Sequence, residues 1–158
     1  MHNLVKEGVP AEDAWQLVRE GEGELPAGDL ILPLARFVSG ERAPHGRTAA
    51  WFAPDDDPLA AAADVLALPL LAVDFPAFTD GRGYSVGRLL RERRAFAGEL
   101  RAIGDVQRDQ LHFLHQVGFD SFAIRADLNA ADAAGALADF SAGCQTSWRR
   151  RQGRGLHV

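Results

Sequence analysis

Apolar residues along this chain gather into short runs of two kinds, separated by stretches rich in glycine, proline and charge. The segments DLILPLARFV (29–38), TAAWFAP (48–54), LLAVDF (70–75), ELRAIGD (99–105) and SFAIR (121–125) have strand length. LLAVDF is apolar without interruption up to its aspartate, the pattern of a strand buried on both faces. Pro33 marks an edge or an early end of the first run, because proline cannot donate to a ladder. Between these runs the apolar spacing becomes helical. In DDDPLAAAADVLALP, Asp57 is suited to cap a helix N-terminus, Pro58 to occupy its first position and Pro69 to stop it. Val86, Leu89, Leu90 and Phe96 share a face of the next helix, which Gly98 is expected to end. Val106, Gln110, Phe113, Leu114 and Val117 line a helix over 106–117 with Gly118 at its exit. An alanine-rich helix follows over 129–142, carrying Leu137 and Phe140.

Strand and helix thus alternate three times, which predicts an α/β domain whose strands run parallel through right-handed crossovers. The expected architecture is a mostly parallel sheet of about five strands with covering helices, either an open layered sheet or a partial TIM-like barrel. Residues 1–28 form an N-terminal arm anchored by Trp15, Leu17 and Val18, residues 29–143 the α/β domain, and residues 144–158 a basic, loosely ordered tail. Open sheets leave unpaired edges, so a homodimer is an expectation.

A length of 158 residues suits one domain with a core of its own. The net charge of −5 argues against a nucleic-acid binder. No apolar run reaches the ~20 residues of a membrane helix. MHNLVKEG lacks the apolar segment of a signal peptide, and the single cysteine, Cys144, excludes an internal disulfide. The expected location is therefore cytoplasmic. Cys144 itself is read as a bystander among small residues. Charge is uneven: 11–29 and 55–64 are acidic, while 88–101 and 149–154 carry most of the arginine.

Parallel strands point their C-terminal ends to one edge, where ligands bind in open α/β sheets. Asp74, Asp105 and Arg125 each stand at the end of a predicted strand, and the loop 75–85 leaves from the same edge. About ten residues is long for such a connection, which favours function. Gly81 and Gly83 allow a close approach of backbone to ligand, or simply a turn. Arg82 and Arg88 offer guanidinium forks for phosphate, sulfate or carboxylate. Tyr84 and Ser85 place hydroxyls near a helix N-terminus, which favours anions. Asp74 and Asp105 are the candidate catalytic carboxylates, and Asp80 joins the ligand-binding group. Local structure explains some of these equally well: Asp105 and Ser85 as helix caps, Asp80–Gly81 as a turn pair. Arg91, Arg93 and Arg94 read as a solvated face with Glu92. GRGYSVG has the spacing of neither a P-loop nor a dinucleotide fingerprint. His112 and His115 lie three apart with nothing spaced to complete a metal shell, so no metal site is expected.

The segments LPLLAVDFPAFTDGRGYSVGRLLRER, GELRAIGDVQRDQLHFL and GFDSFAI, with NLVKEG and WFAPDDDP, resemble a bacterial family of unknown function, domain-of-unknown-function family nine-three-four. The family pattern falls on Asp74, Phe75, Phe78 and Asp80 to Ser85. It falls again on Arg88, Leu89, Arg91, Arg101, Gly104, Asp105, Arg108, Asp109 and Gln110. The chain departs from that pattern at His112 and His115 and after Gly143. Members are described as proteins, or oxidoreductases, involved in assimilatory sulfite reduction. The resemblance therefore implies an accessory role in that process, with sulfite reductase or its electron supply as partner. The alternative is a small enzyme acting on an anionic or phosphorylated metabolite, with Asp74 or Asp105 as base and Arg82 as anion clamp. The sequence shows no obvious flavin, haem or cluster motif, and the cofactor is unknown.

Overall fold

A computed structural model describes residues 3–19, 23–77, 79–125 and 128–141. Phe78, Cys144 and the arginines of the tail lie outside them. Among the described residues the sheet has eight strands rather than five, and it curls into a half-barrel. Three strands come from the N-terminal segment: β1 (Leu4–Lys6), β2 (Val9–Ala11) and β3 (Trp15–Leu17). The others are β4 (Asp29–Pro33), β5 (Thr48–Phe52), β6 (Leu70–Phe75), β7 (Glu99–Gly104) and β8 (Ser121–Ala123). Strands β3 to β8 are parallel neighbours in chain order, while β1 lies antiparallel between β8 and β2.

The curl is forced by the chain itself. The two edge strands of the sheet, β2 and β3, are separated by only Glu12, Asp13 and Ala14. Four Cα steps reach at most about 14 Å, whereas the edges of a flat eight-stranded sheet stand about 34 Å apart. The edges must therefore bend toward each other.

Sequential order with right-handed crossovers puts the helices on one face. They are α1 (Leu34–Val38), α2 (Ala63–Leu66), α3 (Arg82–Glu92), α4 (Leu111–Val117) and α5 (Ala130–Ser141). Strand alternation then sorts the side chains. Ala50, Phe52, Leu71, Val73, Phe75, Leu100, Ala102 and Phe122 pack outward with Val65, Val86, Leu90 and Leu114 of the helices. Ile31, Ala49, Trp51, Leu70, Ala72 and Ile103 form a second core on the helix-free inner face, flanked by Trp15 and Leu17.

Several element boundaries differ from the pattern. Strand β4 ends at Pro33, and the apolar residues after it turn into α1, since Pro33 keeps extended backbone (φ −55°, ψ 141°) but offers no N–H to continue the ladder. Asp57 Oδ1 accepts from Leu59 N at 2.9 Å with Pro58 behind it, as expected. The helix nevertheless breaks into a 3-10 turn and α2, with Ala61 and Ala62 extended between them. Arg94 donates to the carbonyls of Leu59 and Ala61, satisfying groups that a continuous helix would have bonded internally. α3 ends at Glu92, well before Gly98. Gly98 is instead pressed against the Pro69 carbonyl, 2.9 Å from where a Cβ would stand. Leu111 and Leu114 are the buried face of α4, and Phe113 points outward at 61% exposure. Gly118 does terminate α4, in the left-handed conformation at φ 119°.

Candidate functional site

The alternation that builds the inner core also decides which charges meet at the C-terminal ends of the strands. Asp74 follows Leu70 and Ala72 on the inward parity of β6, and Asp105 follows Arg101 and Ile103 on that of β7. Arg125 continues Ser121 and Ala123 beyond β8, and Arg19 continues Trp15 and Leu17 beyond β3. Asp74, Asp105 and Arg125 are thus brought to one edge, as their positions in the sequence imply. Arg19 joins them, and sequence reasoning missed it.

Asp74 is buried, with 9% of its surface exposed. Its Oδ1 lies 3.1 Å from Arg19 Nη1, so the pair spans from β6 to the far side of β3. Arg19 crosses above Trp51, with its guanidinium 5.2 Å from the ring centre, and Trp51 Nε1 donates to the Val18 carbonyl at 2.9 Å. One indole thereby supports both the strand end and its arginine. Gly104 leaves room for the carboxylate. It sits at φ 95°, and a Cβ there would stand 2.6 Å from Asp74 Oδ1 and 2.5 Å from the Phe75 carbonyl oxygen. Asp105 pairs with Arg125 across adjacent strands at 3.6 Å. Its N–H donates to the Phe75 carbonyl at 2.7 Å, continuing the β6–β7 ladder. The N-cap position of the following helix falls two residues later, at Gln107. Its N–H donates to Gln110 Oε1 at 2.9 Å in a capping box.

The loop reads differently in three dimensions. α3 begins at Arg82, so the connection is 76–81, of ordinary length for a strand-to-helix loop. Asp80 accepts from Arg82 three times: from its backbone N at 3.1 Å, Nε at 3.0 Å and Nη2 at 2.8 Å. The hydrogen bonds from Arg82 hold the Asp80 carboxyl below its ordinary range, and Asp80 in turn pushes the Arg82 guanidinium up. The fork expected to clamp an anion holds a carboxylate two residues away through Nε and Nη2. Gly81 has φ −84° and open space around it, a conformation that does not require glycine. Gly83 faces inward, where a Cβ would stand 2.5 Å from the Phe75 ring, and Gly87 one turn later has the same relation to Phe119 at 2.4 Å. The two glycines let α3 lie close on the sheet. Tyr84 packs edge-on to Phe75 at 5.4 Å, and burial pushes its phenol up despite a hydrogen bond to Gln110. Ser85 faces solvent, and Arg88 is exposed with Glu92 one turn on at 3.3 Å.

The motif also contains two arginines with structural work. Arg91, expected on a solvated face, is buried and donates to the carbonyls of Phe96, Gly98 and Gly118 and to Asp120. Arg101 is buried on the inner face of β7, among Asp13, Glu99 and Ser121.

Fold and edge together define an α/β half-barrel whose strand-end arginines are each matched by an aspartate. The model of a bacterial protein family of unknown function, DUF934, matches residues 49–154, two thirds of the chain, and the protein belongs to that family. No curated protein and no solved structure matches it. Asp74, Gly104, Asp105 and Arg125 fall within the matched span, whereas Arg19 and Asp13 come from the strands before it. No helix among the described residues is long and apolar enough to cross a membrane.

Proposed function

We propose that this protein is an accessory component of assimilatory sulfite reduction, acting by binding sulfite reductase or the proteins that deliver its electrons rather than by turning over a metabolite. The link to sulfite reduction comes from the resemblance of its motifs to the family described above. The binding mode comes from the site: Arg19, Arg82 and Arg125 each engage Asp74, Asp80 and Asp105 respectively. A small dianion arriving there would meet a carboxylate of like charge beside every cation it used, and Asp55 adds a further negative charge near Arg82. Charge-compensated surfaces suit a protein partner, whose own mixed charges can exchange with such pairs and set orientation.

One observation favours the second reading, a small enzyme acting on an anionic or phosphorylated metabolite. The Asp74 carboxylate is buried at a strand end, where catalytic bases of open α/β folds stand. The two readings separate in a pair of measurements. Affinity capture of the tagged protein from bacteria growing on sulfate as sole sulfur source is expected to recover sulfite reductase or its electron donor. A preparation that yields neither counts against the accessory role. A thermal-shift screen with sulfite, phosphate and adenosine phosphosulfate is expected to show no ligand whose binding is lost in Arg82→Ala. Such a ligand would favour the enzyme.

A further inference from the structure

The opposite end of the half-barrel, where the parallel strands begin, holds an open pocket of about 150 Å³. Its polar wall is built around Arg101, whose side chain is only 3% exposed. The guanidinium donates from Nε to Ser121 Oγ at 3.1 Å, from Nη1 to Asp13 Oδ1 at 2.8 Å and from Nη2 to Glu99 Oε2 at 3.0 Å. Those bonds use three of its five N–H donors and leave two on a buried cation in the pocket wall. Lys6 Nζ stands 3.0 Å from Glu99 Oε1, with most of its donor capacity unused. Glu12 sits beside Trp15, Arg47 lies over the Trp15 ring with its charge paired to Asp29, and Leu4 and Leu70 supply an apolar side.

The signs of these charges constrain the ligand. A simple anion held by Lys6 and Arg101 would lie against Glu99, and a simple cation held by Glu99 would lie against Arg101. A molecule carrying both charges a few ångströms apart meets each with its opposite. We propose that this pocket binds a small zwitterion, an α-amino acid of about six or seven heavy atoms, the size a cavity of this volume accommodates. Its carboxylate lies against Lys6 and the spare donors of Arg101, its ammonium against Glu99 and Glu12, and its side chain against Leu4 and Leu70. The site lies away from the strand-end aspartates and does not depend on the sulfite-reduction reading.

The test uses the full chain and two probes, L-alanine and L-serine, each beside its N-acetyl and its amide derivative, at about 10 mM. At least one free amino acid is expected to raise Tm by about 2 °C or more while its blocked derivatives do not. Glu12→Gln and Lys6→Met, both at solvent-accessible positions, are expected to weaken that binding about tenfold or more in calorimetric titration, with circular dichroism unchanged. Three results overturn the proposal: no free amino acid shifts Tm, a blocked derivative binds as tightly as the free form, or both variants bind as wild type.

Discussion

Arg91→Ala probes the difference between what the sequence suggests and what the structure contains. Arg91 lies between Arg88 and Arg94 in a run that looks uniformly solvated, yet its side chain is 2% exposed. Nε donates to the Gly118 carbonyl at 2.9 Å, Nη1 to the carbonyls of Phe96 at 2.7 Å and Gly98 at 2.9 Å, and Nη2 to Asp120. It therefore ties the end of α3 to the turn after α4 and to the segment entering β7. Truncation strips donors from three carbonyls and a carboxylate at once. Each buried acceptor left unmatched costs ~1–3 kcal/mol, and removing one partner of a buried ion pair ~3–5 kcal/mol. These overlap, so the expected loss is about 4 kcal/mol, a large part of the ~5–15 kcal/mol that stabilises an ordinary domain. Arg88→Ala removes only an exposed pair one helical turn apart, worth ~0.3–0.5 kcal/mol. With a urea slope of ~2 kcal/mol/M, Arg91→Ala should move the unfolding midpoint down by about 2 M and Arg88→Ala by less than about 0.3 M. Arg91→Lys keeps the charge but not the planar fork and should fall between them. If Arg91→Ala costs under about 1 kcal/mol, the buried network does not hold these elements together, and the reasoning fails.

The glycines of α3 and the acid end of the pH range give two further expectations. Gly87→Ala would put a Cβ 2.4 Å from the Phe119 ring, and overpacking of ~1–3 kcal/mol should outweigh the ~1 kcal/mol gained in helix propensity. Gly81→Ala meets nothing nearer than 4.0 Å and should be neutral or mildly stabilising, so equal effects in urea unfolding would contradict the packing assignment. Burial alone would raise the Glu99 carboxyl, but Ser121, Lys6 and Arg101 together hold it below its ordinary value of 4.5. Its contribution is therefore complete above that value and is lost as pH falls through the lower folded value, so wild type should lose more stability than Glu99→Gln on going from about pH 5 to about pH 3. Parallel slopes in guanidinium titrations at those two pH values would count against it.

The parts of the fold legible in the sequence are those whose signal is local. LLAVDF is buried along its whole length, as an uninterrupted apolar strand should be, and parity within each strand brings Asp74, Asp105 and Arg125 to one edge. The N-terminal strands escaped notice for a physical reason. LVK, VPA and WQL are three residues each, too short to show a period of two, and they exist because β8 and β4 supply their hydrogen-bonding partners. Arg19 was invisible for the same reason: nothing near it in sequence says that its strand will lie three places from Asp74 in the sheet. Asp13 and Arg101 are 88 residues apart in the chain. The glycines of GRGYSVG were ambiguous because a glycine needed for a turn and one needed for a neighbouring ring look alike until Phe75 and Phe119 are in place.

The inner face follows from a single electrostatic constraint. Bending the sheet until its edges approach removes that face from water, where an unpaired charge is costly. The charges that remain there are consequently paired, and they sit toward the ends of the strands. Along β7 the inward residues run Glu99, Arg101, Ile103, and Asp105 follows; beside them on β6 run Leu70, Ala72 and Asp74. Ile103 and Ala72, with Ile31 and Trp51, form an apolar waist between the Arg101 network at one end and the Asp74 pair at the other. The waist side chains are buried and stand between the two charged ends. The two ends are therefore separate surfaces of the half-barrel. Neutralising Glu12 and Lys6 should leave the strand-end edge unchanged, which makes the amino-acid pocket and the partner-binding role separable by mutation.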